Sequence, residues 1–423
     1  MMQACPPRVR EIRKLCRMWR RAEQHKGDRM REFVGVMGSS LVGVDPFHPQ
    51  SWSGSSRWFF RECERQGLLK RAFGVETALP LKCWYALRNY SADRTKWSWK
   101  RLSDVGYRNS LTKLIRKGLD KSDFDCDFLQ LGALFDLPGI VKGRSACYSY
   151  NDGNTAMALR SPNFPRGIDR ARIERTIEYE RKVNAGLDLI FTMSEFLRRS
   201  FIDDYGIDPA KVVCIGAGIN IDLPSIEPSK DYSKASILFI GVNFGRKGGY
   251  DVLKAFRIVR ERIPHATLHI VGPRESCADP AEMEGTIWHG FLDKNNAEDA
   301  RTLTGLLREA TVFAMPSLYE PFGIAPLEAM AYEIPCVTSN AWALPEVVRD
   351  RICGRLVEPG NYEQLAEVLT ELLGNPALLK QYGQAGRKHV TGKYTWPKVV
   401  ERLHASLSAR GLAGDAQSLG RSA

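Results

Sequence analysis

The sequence SLYEPFGIAPLEAMA (317–331) contains the residues that decide how this chain is interpreted. The apolar run at 312–316 just before it predicts a buried strand, and residues 324–332 predict a helix. Glu320 therefore lies on the loop that joins strand to helix, and Glu328 lies more than one turn into the helix. In an open parallel α/β sheet such a loop follows the carboxyl end of a strand, where ligands bind. The stretch thus predicts a ligand cleft beside two carboxylates.

The start of this predicted helix favours an anionic or hydroxyl-rich ligand. Phe322, Gly323 and Ile324 supply backbone N–H groups where a diphosphate or a sugar oxygen is stabilised. Gly323 also allows the backbone to approach a ligand closely. Glutamates near helix starts are common for electrostatic reasons alone, so the complete string is more informative than its two carboxylates.

Apolar runs alternate with amphipathic stretches on both sides of 317–331. Strands are predicted at 33–44, 187–193 and 212–215, and again at 236–242, 266–272, 286–290 and 335–338. The intervening stretch 220–236 is rich in Pro, Ser and Asp and predicts a linker. The sequence therefore predicts an α/β fold with two Rossmann-like, doubly wound domains that face each other across a cleft. The predicted divisions are a basic extension at 1–32, an acceptor-side domain at 33–219, a linker at 220–235, a nucleotide-sugar domain at 236–395, a helix at 396–409 and a disordered tail at 410–423.

Composition is consistent with two globular domains in a chain of 423 residues. Hydrophobic residues make up 43% and charged residues 26%, which excludes disorder of the whole chain. The ten cysteines include no C-x-x-C pair, and the seven histidines form no cluster in the sequence. This pattern argues against a zinc module or a disulfide framework.

Most of the net charge of +12 lies near the amino terminus, where residues 8–31 contain ten Arg or Lys and three acids. The remaining charge of about +5 is spread over the rest of the chain, so no nucleic-acid partner is expected. Residues 8–22 place apolar side chains at helical spacing among arginines. Such a helix could lie on an anionic membrane surface or remain a solvated extension. Both interpretations stay open.

The string that begins at Glu320 resembles the E-x7-E motif of retaining glycosyltransferase family 4, part of the glycosyl transferases group 1, which have the GT-B fold. The resemblance continues through ILFIGVNFGRKGGYDVLKAF (237–256), LHIVGP (268–273) and HGFLDK (289–294). It is weaker before residue 220. It implies transfer of a hexose from a nucleotide sugar to a hydroxyl acceptor on a glycan, lipid or small molecule, with retained anomeric configuration. It also implies no metal and no cofactor beyond the nucleotide-sugar substrate.

The resemblance assigns roles to particular residues. Glu320 is similar to the glutamate that holds hydroxyls of the transferred sugar, and Glu328 to the one that binds the nucleotide ribose. One carboxylate can accept two hydroxyl hydrogen bonds, which suits both tasks. Arg246 and Lys247, followed by Gly248, would face the donor diphosphate and stabilise it as it leaves.

Three positions depart from the family pattern or match it weakly. The family has Gly-Arg after the first strand of this domain, whereas this chain has Gly241-Val242. Gly54, in SWSG (51–54), is similar to a glycine near the donor phosphate, although an ordinary turn explains it too. Where the family often has a histidine, this chain has Asp152, which contacts sugar or acceptor or simply forms an Asp-Gly turn.

Rival functions remain for a chain of this pattern. A GT-B epimerase or phosphorylase keeps the fold with a different reaction, and a non-catalytic protein that binds membranes or polyanions would rely on the basic amino terminus. The G-x-G-x-x-G and G-K-[ST] motifs are absent, which argues against a dehydrogenase and a P-loop enzyme. The expected location is the cytoplasm, either free or at the inner face of a membrane.

Overall fold

Two parallel six-stranded sheets form the framework of the protein. The computed structural model describes residues 32–38, 45–226, 230–273 and 284–420, with side chains to residue 409. The first sheet contains β1 (Phe33–Gly38), β2 (Leu69–Val75), β3 (Asp127–Leu131), β4 (Cys147–Asn151), β5 (Leu189–Thr192) and β6 (Val212–Cys214). The second contains β7 (Ser236–Ile240), β8 (Thr267–Val271), β9 (Thr286–Gly290), β10 (Val312–Met315), β11 (Cys336–Ser339) and β12 (Gly354–Val357).

The strand orders confirm the predicted fold class. The first sheet has the order β2-β1-β3-β4-β5-β6, and the second, counted from its other edge, β9-β8-β7-β10-β11-β12. The second order corresponds to the doubly wound pattern 3-2-1-4-5-6, in which the direction of winding reverses between the first and fourth strands. Strands such as β10 are buried along their whole length because helices cover both faces, and this explains their continuous apolar sequence.

Helices connect the strands on both faces of each sheet. In the amino-terminal domain they are α1 (Ser55–Arg65), α2 (Leu79–Arg88), α3 (Arg94–Leu102), α4 (Val105–Gly118), α5 (Leu137–Val141), α6 (Thr155–Leu159), α7 (Arg170–Ala185) and α8 (Glu195–Asp203). The carboxy-terminal series is α9 (Gly249–Arg262), α10 (Ala297–Glu309), α11 (Ile324–Ala331), α12 (Leu344–Val347), α13 (Tyr362–Leu373), α14 (Pro376–Lys393) and α15 (Trp396–Gly420). Short 3-10 turns occupy Ser51–Gly54, Lys121–Asp125 and Pro209–Lys211.

The first predicted strand is present over its described part: β1 covers Phe33–Gly38, and residues 39–44 lie outside the described residues. Every residue of α3 is at least partly exposed. The following helix, α4, instead buries Tyr107, Leu111 and Ile115 in the domain core.

The last helix packs against the amino-terminal domain. The ring of Trp396 lies 5.9 Å from that of Phe59, and its indole N–H donates to the side-chain oxygen of Asn220 at 3.3 Å. Arg402 donates to the carbonyl oxygen of Ile215 at 2.8 Å. This helix extends past the predicted end at residue 409 into the segment that was expected to be disordered. The predicted helix at 8–22 lies outside the described residues.

Contacts between the two domains also occur at the start of α8. The carboxylate of Glu346, from the carboxy-terminal domain, accepts the backbone N–H groups of Glu195 at 2.7 Å and Phe196 at 2.6 Å. Ser194 caps the same helix by accepting the N–H of Leu197 at 3.1 Å. The carboxyl ends of both sheets thereby face a common cleft.

Candidate active site

Two loops at the reversal point of the second sheet form one wall of the cleft. Arg246 and Lys247 follow β7, and Glu320 follows β10, which is the neighbour of β7 in the sheet. The backbone of Leu318 donates to the carbonyl oxygen of Arg246 at 2.9 Å, so the two loops are held together. The fold therefore brings three predicted residues to the position where an open α/β sheet binds its ligand.

Lys247 and Glu320 form an ion pair in this wall. The Lys247 ammonium group donates to one carboxylate oxygen of Glu320, and the side chains are only 16% and 9% exposed, respectively. Because burial weakens the screening by water, the two opposite charges attract each other strongly.

Arg246 extends along the same wall without a carboxylate partner among the described side chains. Its guanidinium group donates to the carbonyl oxygen of Tyr319 at 3.0 Å, and the residue is partly exposed. The remaining N–H donors and the full positive charge therefore stay available to an anion in the cleft.

Glu328 is held by a cation that the sequence analysis did not identify. Lys294 donates to both carboxylate oxygens of Glu328 at 2.6 Å, while Glu328 itself is 4% exposed. Lys294 is the last residue of the string HGFLDK (289–294). A buried carboxylate fixed by a lysine keeps its orientation and can still accept hydroxyl hydrogen bonds.

Two glycines allow the loops to approach each other. Gly248 has φ of 78°, and a β-carbon there would lie 2.2 Å from the carbonyl oxygen of Pro316. Gly323 has φ of 108° and is the N-cap residue of α11, with no side-chain capping hydrogen bond. The side chain of Phe322 is buried near Tyr394, with 6.0 Å between ring centroids. Ile324 is the first residue of α11.

The opposite wall contains the SWSG turn. Trp52 and Ser53 have φ of 47° and 56°, and Gly54 has φ of 88° at the start of α1. Asn220 stabilises this left-handed turn by donating to the carbonyl oxygen of Ser53 at 3.1 Å. Three consecutive left-handed residues exceed what an ordinary turn needs, and they place the ring of Trp52 toward the cleft, 5.4 Å from the ring of Tyr150.

Asp152 follows β4 and lines an inner cavity of about 330 Å³ together with Trp52, Glu180 and Tyr319. Burial raises the pKa of the Asp152 carboxyl group, a hydrogen bond from Trp52 opposes this, and the negative charge of Glu320 raises the pKa further. The Glu320 carboxylate is therefore near enough to Asp152 to affect its carboxyl group.

A buried network behind Asp152 was missed by the sequence analysis. Glu180 accepts hydrogen bonds from both terminal nitrogens of Arg108 at 3.1 Å and from the hydroxyl groups of Thr155 at 2.6 Å and Tyr205 at 2.5 Å. It also accepts the backbone N–H of Thr155 at 3.1 Å. Thr155 starts α6 directly after the loop of Asp152, so this network fixes that loop. Its members are far apart in the sequence, and no local pattern marks them.

Two histidines lie in contact in the second sheet. The Nδ1 atom of His269 and the Nε2 atom of His289 lie 3.0 Å apart on neighbouring strands. Burial lowers the pKa of both rings, so the pair favours neutral imidazoles. Among the described residues no group of three or more His, Cys, Asp or Glu side chains could hold a metal ion.

Comparison with known proteins identifies the second half of the chain. The family model described as glycosyl transferases group 1 matches residues 225–389. MMP alpha-(1->4)-mannosyltransferase of Mycolicibacterium hassiacum is 28% identical over 233 residues, which cover 54% of this chain and 56% of that protein. Alpha-maltose-1-phosphate synthase of Mycolicibacterium smegmatis is 40% identical over 253 residues, which cover 53% and 63%, respectively. The chain thus spans less than two thirds of the length of either relative.

Solved structures resemble a larger part of the fold. Sucrose-phosphate synthase from Thermosynechococcus elongatus superposes with a TM-score of 0.64 at 14% identity, covering 90% of this chain and 100% of that one. Anabaena HepE, solved in complex with UDP, gives a TM-score of 0.59 at 14% identity, with 89% and 100% covered. At this identity the likeness concerns the fold, which is GT-B. The carboxy-terminal domain that carries Arg246, Lys247, Glu320 and Glu328 belongs to the glycosyl transferases group 1.

Proposed function

We propose that the protein is a retaining glycosyltransferase, of the family 4 type, that moves a hexose from a nucleotide sugar to a hydroxyl acceptor. The observation that carries this proposal is the arrangement at the reversal point of the second sheet. There the buried Lys247–Glu320 pair lies beside the uncompensated charge of Arg246, and Asp152 faces it from the other domain. Cations for a diphosphate and carboxylates for hydroxyl groups thus share one cleft.

In this proposal the nucleotide occupies the carboxy-terminal wall. Glu328, fixed by Lys294, accepts hydrogen bonds from the ribose hydroxyl groups. Arg246 and Lys247 bind the diphosphate together with backbone N–H groups near Gly248 and at the start of α11. When the diphosphate engages Lys247, Glu320 becomes free to accept hydroxyl groups of the transferred sugar.

The transfer itself follows front-face substitution. The bond between the anomeric carbon and the diphosphate oxygen breaks, and the acceptor oxygen forms its new bond on the same face of the sugar. The acceptor proton passes to the departing diphosphate oxygen, so no separate base is needed. Arg246 and Lys247 stabilise the negative charge as it develops on the leaving group, and the reaction proceeds without a metal ion. Asp152 contacts the sugar or the acceptor from the opposite domain.

A thermal-shift screen with UDP, GDP and ADP tests the nucleotide site. A ligand present at about one hundred times its Kd stabilises a protein by about 2.7 kcal/mol, so the correct nucleoside diphosphate should raise the melting temperature clearly. The matching nucleotide sugar should then be consumed, EDTA should leave the rate unchanged, and NMR should show retained configuration. An inverted product would contradict the retaining mechanism, and stabilisation by none of the nucleotides would contradict the donor site. An epimerised sugar would favour the epimerase alternative.

The proposed location is the cytoplasm. None of the described helices combines the length and apolar composition required to cross a membrane. Attachment of residues 8–22 to an anionic membrane surface stays a prediction, since those residues lie outside the described part of the chain. Co-sedimentation with anionic liposomes that weakens as salt rises would support it.

A further inference from the structure

A second, larger groove of about 700 Å³ leads from the cleft along helix α3. Trp99, Leu102, Ala158 and Tyr319 line both this groove and the inner cavity that contains Asp152. A molecule held in the groove can therefore extend to the position where the transferred sugar lies. Arg246 also lines the groove, at the end nearest the proposed site of the donor diphosphate.

The groove is positively charged. Its lining includes Arg94, Arg101, Arg246 and Lys82 and contains no Asp or Glu. Lys82 is paired with Glu76 outside the groove, whereas neither Arg94 nor Arg101 forms an ion pair with a described carboxylate. Uncompensated cations lining one groove attract an anion and fix its position.

The two arginines share one face of α3. They lie seven residues apart, which corresponds to two helical turns and about 10 Å along the axis. Ser98 lies between them and also lines the groove. This face therefore offers two charged donors with a hydroxyl group between them, spaced for a ligand that is longer than a single small ion.

Aromatic rings form the other part of the groove. The indole N–H of Trp97 donates to the carbonyl oxygen of Ala86 at 2.8 Å, and the ring of Trp99 packs edge-on against Phe164 at 4.8 Å. The rings are thus held in place before a ligand binds. Fixed aromatic surfaces bury the C–H faces of sugar rings, while the arginines bind their charged groups.

We propose that this groove binds the acceptor, and that the acceptor is a saccharide carrying carboxylate or phosphate groups. The proposal rests on the transferase function proposed above and specifies its substrate class. The saccharide lies on Trp97 and Trp99 with its anionic groups at Arg94 and Arg101. Its hydroxyl end reaches past Tyr319 toward Asp152.

Matched neutral and charged saccharides test the proposal. The probes are trigalacturonate against its methyl ester, and glucose 6-phosphate against glucose, added to protein saturated with the best nucleoside diphosphate from the screen. Calorimetry should show the charged member of at least one pair binding about tenfold tighter or more, with the difference shrinking as salt rises. Equal affinities within both pairs would overturn the proposal.

Substitutions test whether Arg94 and Arg101 cause the preference for the charged probe. Arg94→Ser combined with Arg101→Ser should abolish the preference for the charged probe, and Arg301→Ser, on the exposed surface of α10, should leave it intact. A charged-probe preference that survives the double substitution would overturn the assignment to this groove. Consumption of nucleotide sugar is measured in the same proteins. In the wild-type protein, intact consumption with no preference for a charged probe rejects the acceptor proposal alone, whereas absence of both nucleotide binding and consumption rejects the transferase function.

Discussion

Replacement of Lys247 by Met keeps most of the length of the unbranched side chain and removes the charge that compensates Glu320. The Glu320 side chain is 9% exposed, so its carboxylate would be left buried without a cation. Loss of one partner from a buried pair costs about 3–5 kcal/mol, and because Lys247 retains some exposure we expect about 3 kcal/mol. Equilibrium urea denaturation measures this difference in the free energy of unfolding. Adding Glu320→Gln to Lys247→Met should restore part of the loss, since no buried charge then lacks a partner.

The control is Lys398→Met, which breaks a lysine–glutamate pair with Glu401 at 2.7 Å on the surface. Those side chains are 47% and 65% exposed, so we expect a loss of less than about 1 kcal/mol. Calorimetry should also show that Lys247→Met weakens binding of the nucleoside diphosphate by about 1–3 kcal/mol, the range of a charge-assisted hydrogen bond. If Lys247→Met unfolds no more easily than Lys398→Met and binds the nucleotide as wild type does, the reasoning about this pair is refuted.

Three further substitutions follow from the same geometry. Because burial raises the pKa of Asp152, the folded chain binds its proton more tightly than the unfolded chain does, and the ionised carboxylate reduces stability above the folded pKa. Asp152→Asn should therefore raise the melting temperature more at about pH 7.5 than at about pH 4, and a uniform shift would contradict the assignment. Gly248→Ala should lower the free energy of unfolding by about 2 kcal/mol or more in urea titrations, because φ is 78° and the new methyl group meets Pro316; wild-type stability would show that the loop relaxes freely. Lys294→Met should weaken nucleoside binding in calorimetry because Glu328 loses its fixed orientation. Unchanged affinity would show that Glu328 does not bind the ribose.

The carboxy-terminal domain was largely predictable from the sequence. The predicted strands 236–242 and 312–316 correspond to Ser236–Ile240 and Val312–Met315, because fully buried parallel strands are continuous apolar runs. The amino-terminal sheet was harder. Strand Leu69–Val75 was missed because it contains Lys70 and Arg71, which an edge strand tolerates and a central strand does not.

The site was predictable only where the motif is local in sequence. Glu320 and Glu328 were found because they lie on one loop and the helix that follows it. The structure places Lys247 beside Glu320 because the two residues follow neighbouring strands. The partners of these side chains were not found. Lys294 lies 34 residues from Glu328, and Glu180 lies on α7, so only tertiary packing shows that they support the site.

The most direct test of the central claim compares turnover and nucleotide affinity in Glu320→Gln. Consumption of the matching nucleotide sugar is measured alongside nucleoside diphosphate affinity, with Glu401→Gln as a surface control. If Glu320 holds the transferred sugar as the bond breaks, turnover should fall by about 10²-fold or more while nucleotide affinity changes little. Turnover near that of the wild type, in a variant that binds the nucleotide normally, would contradict the account.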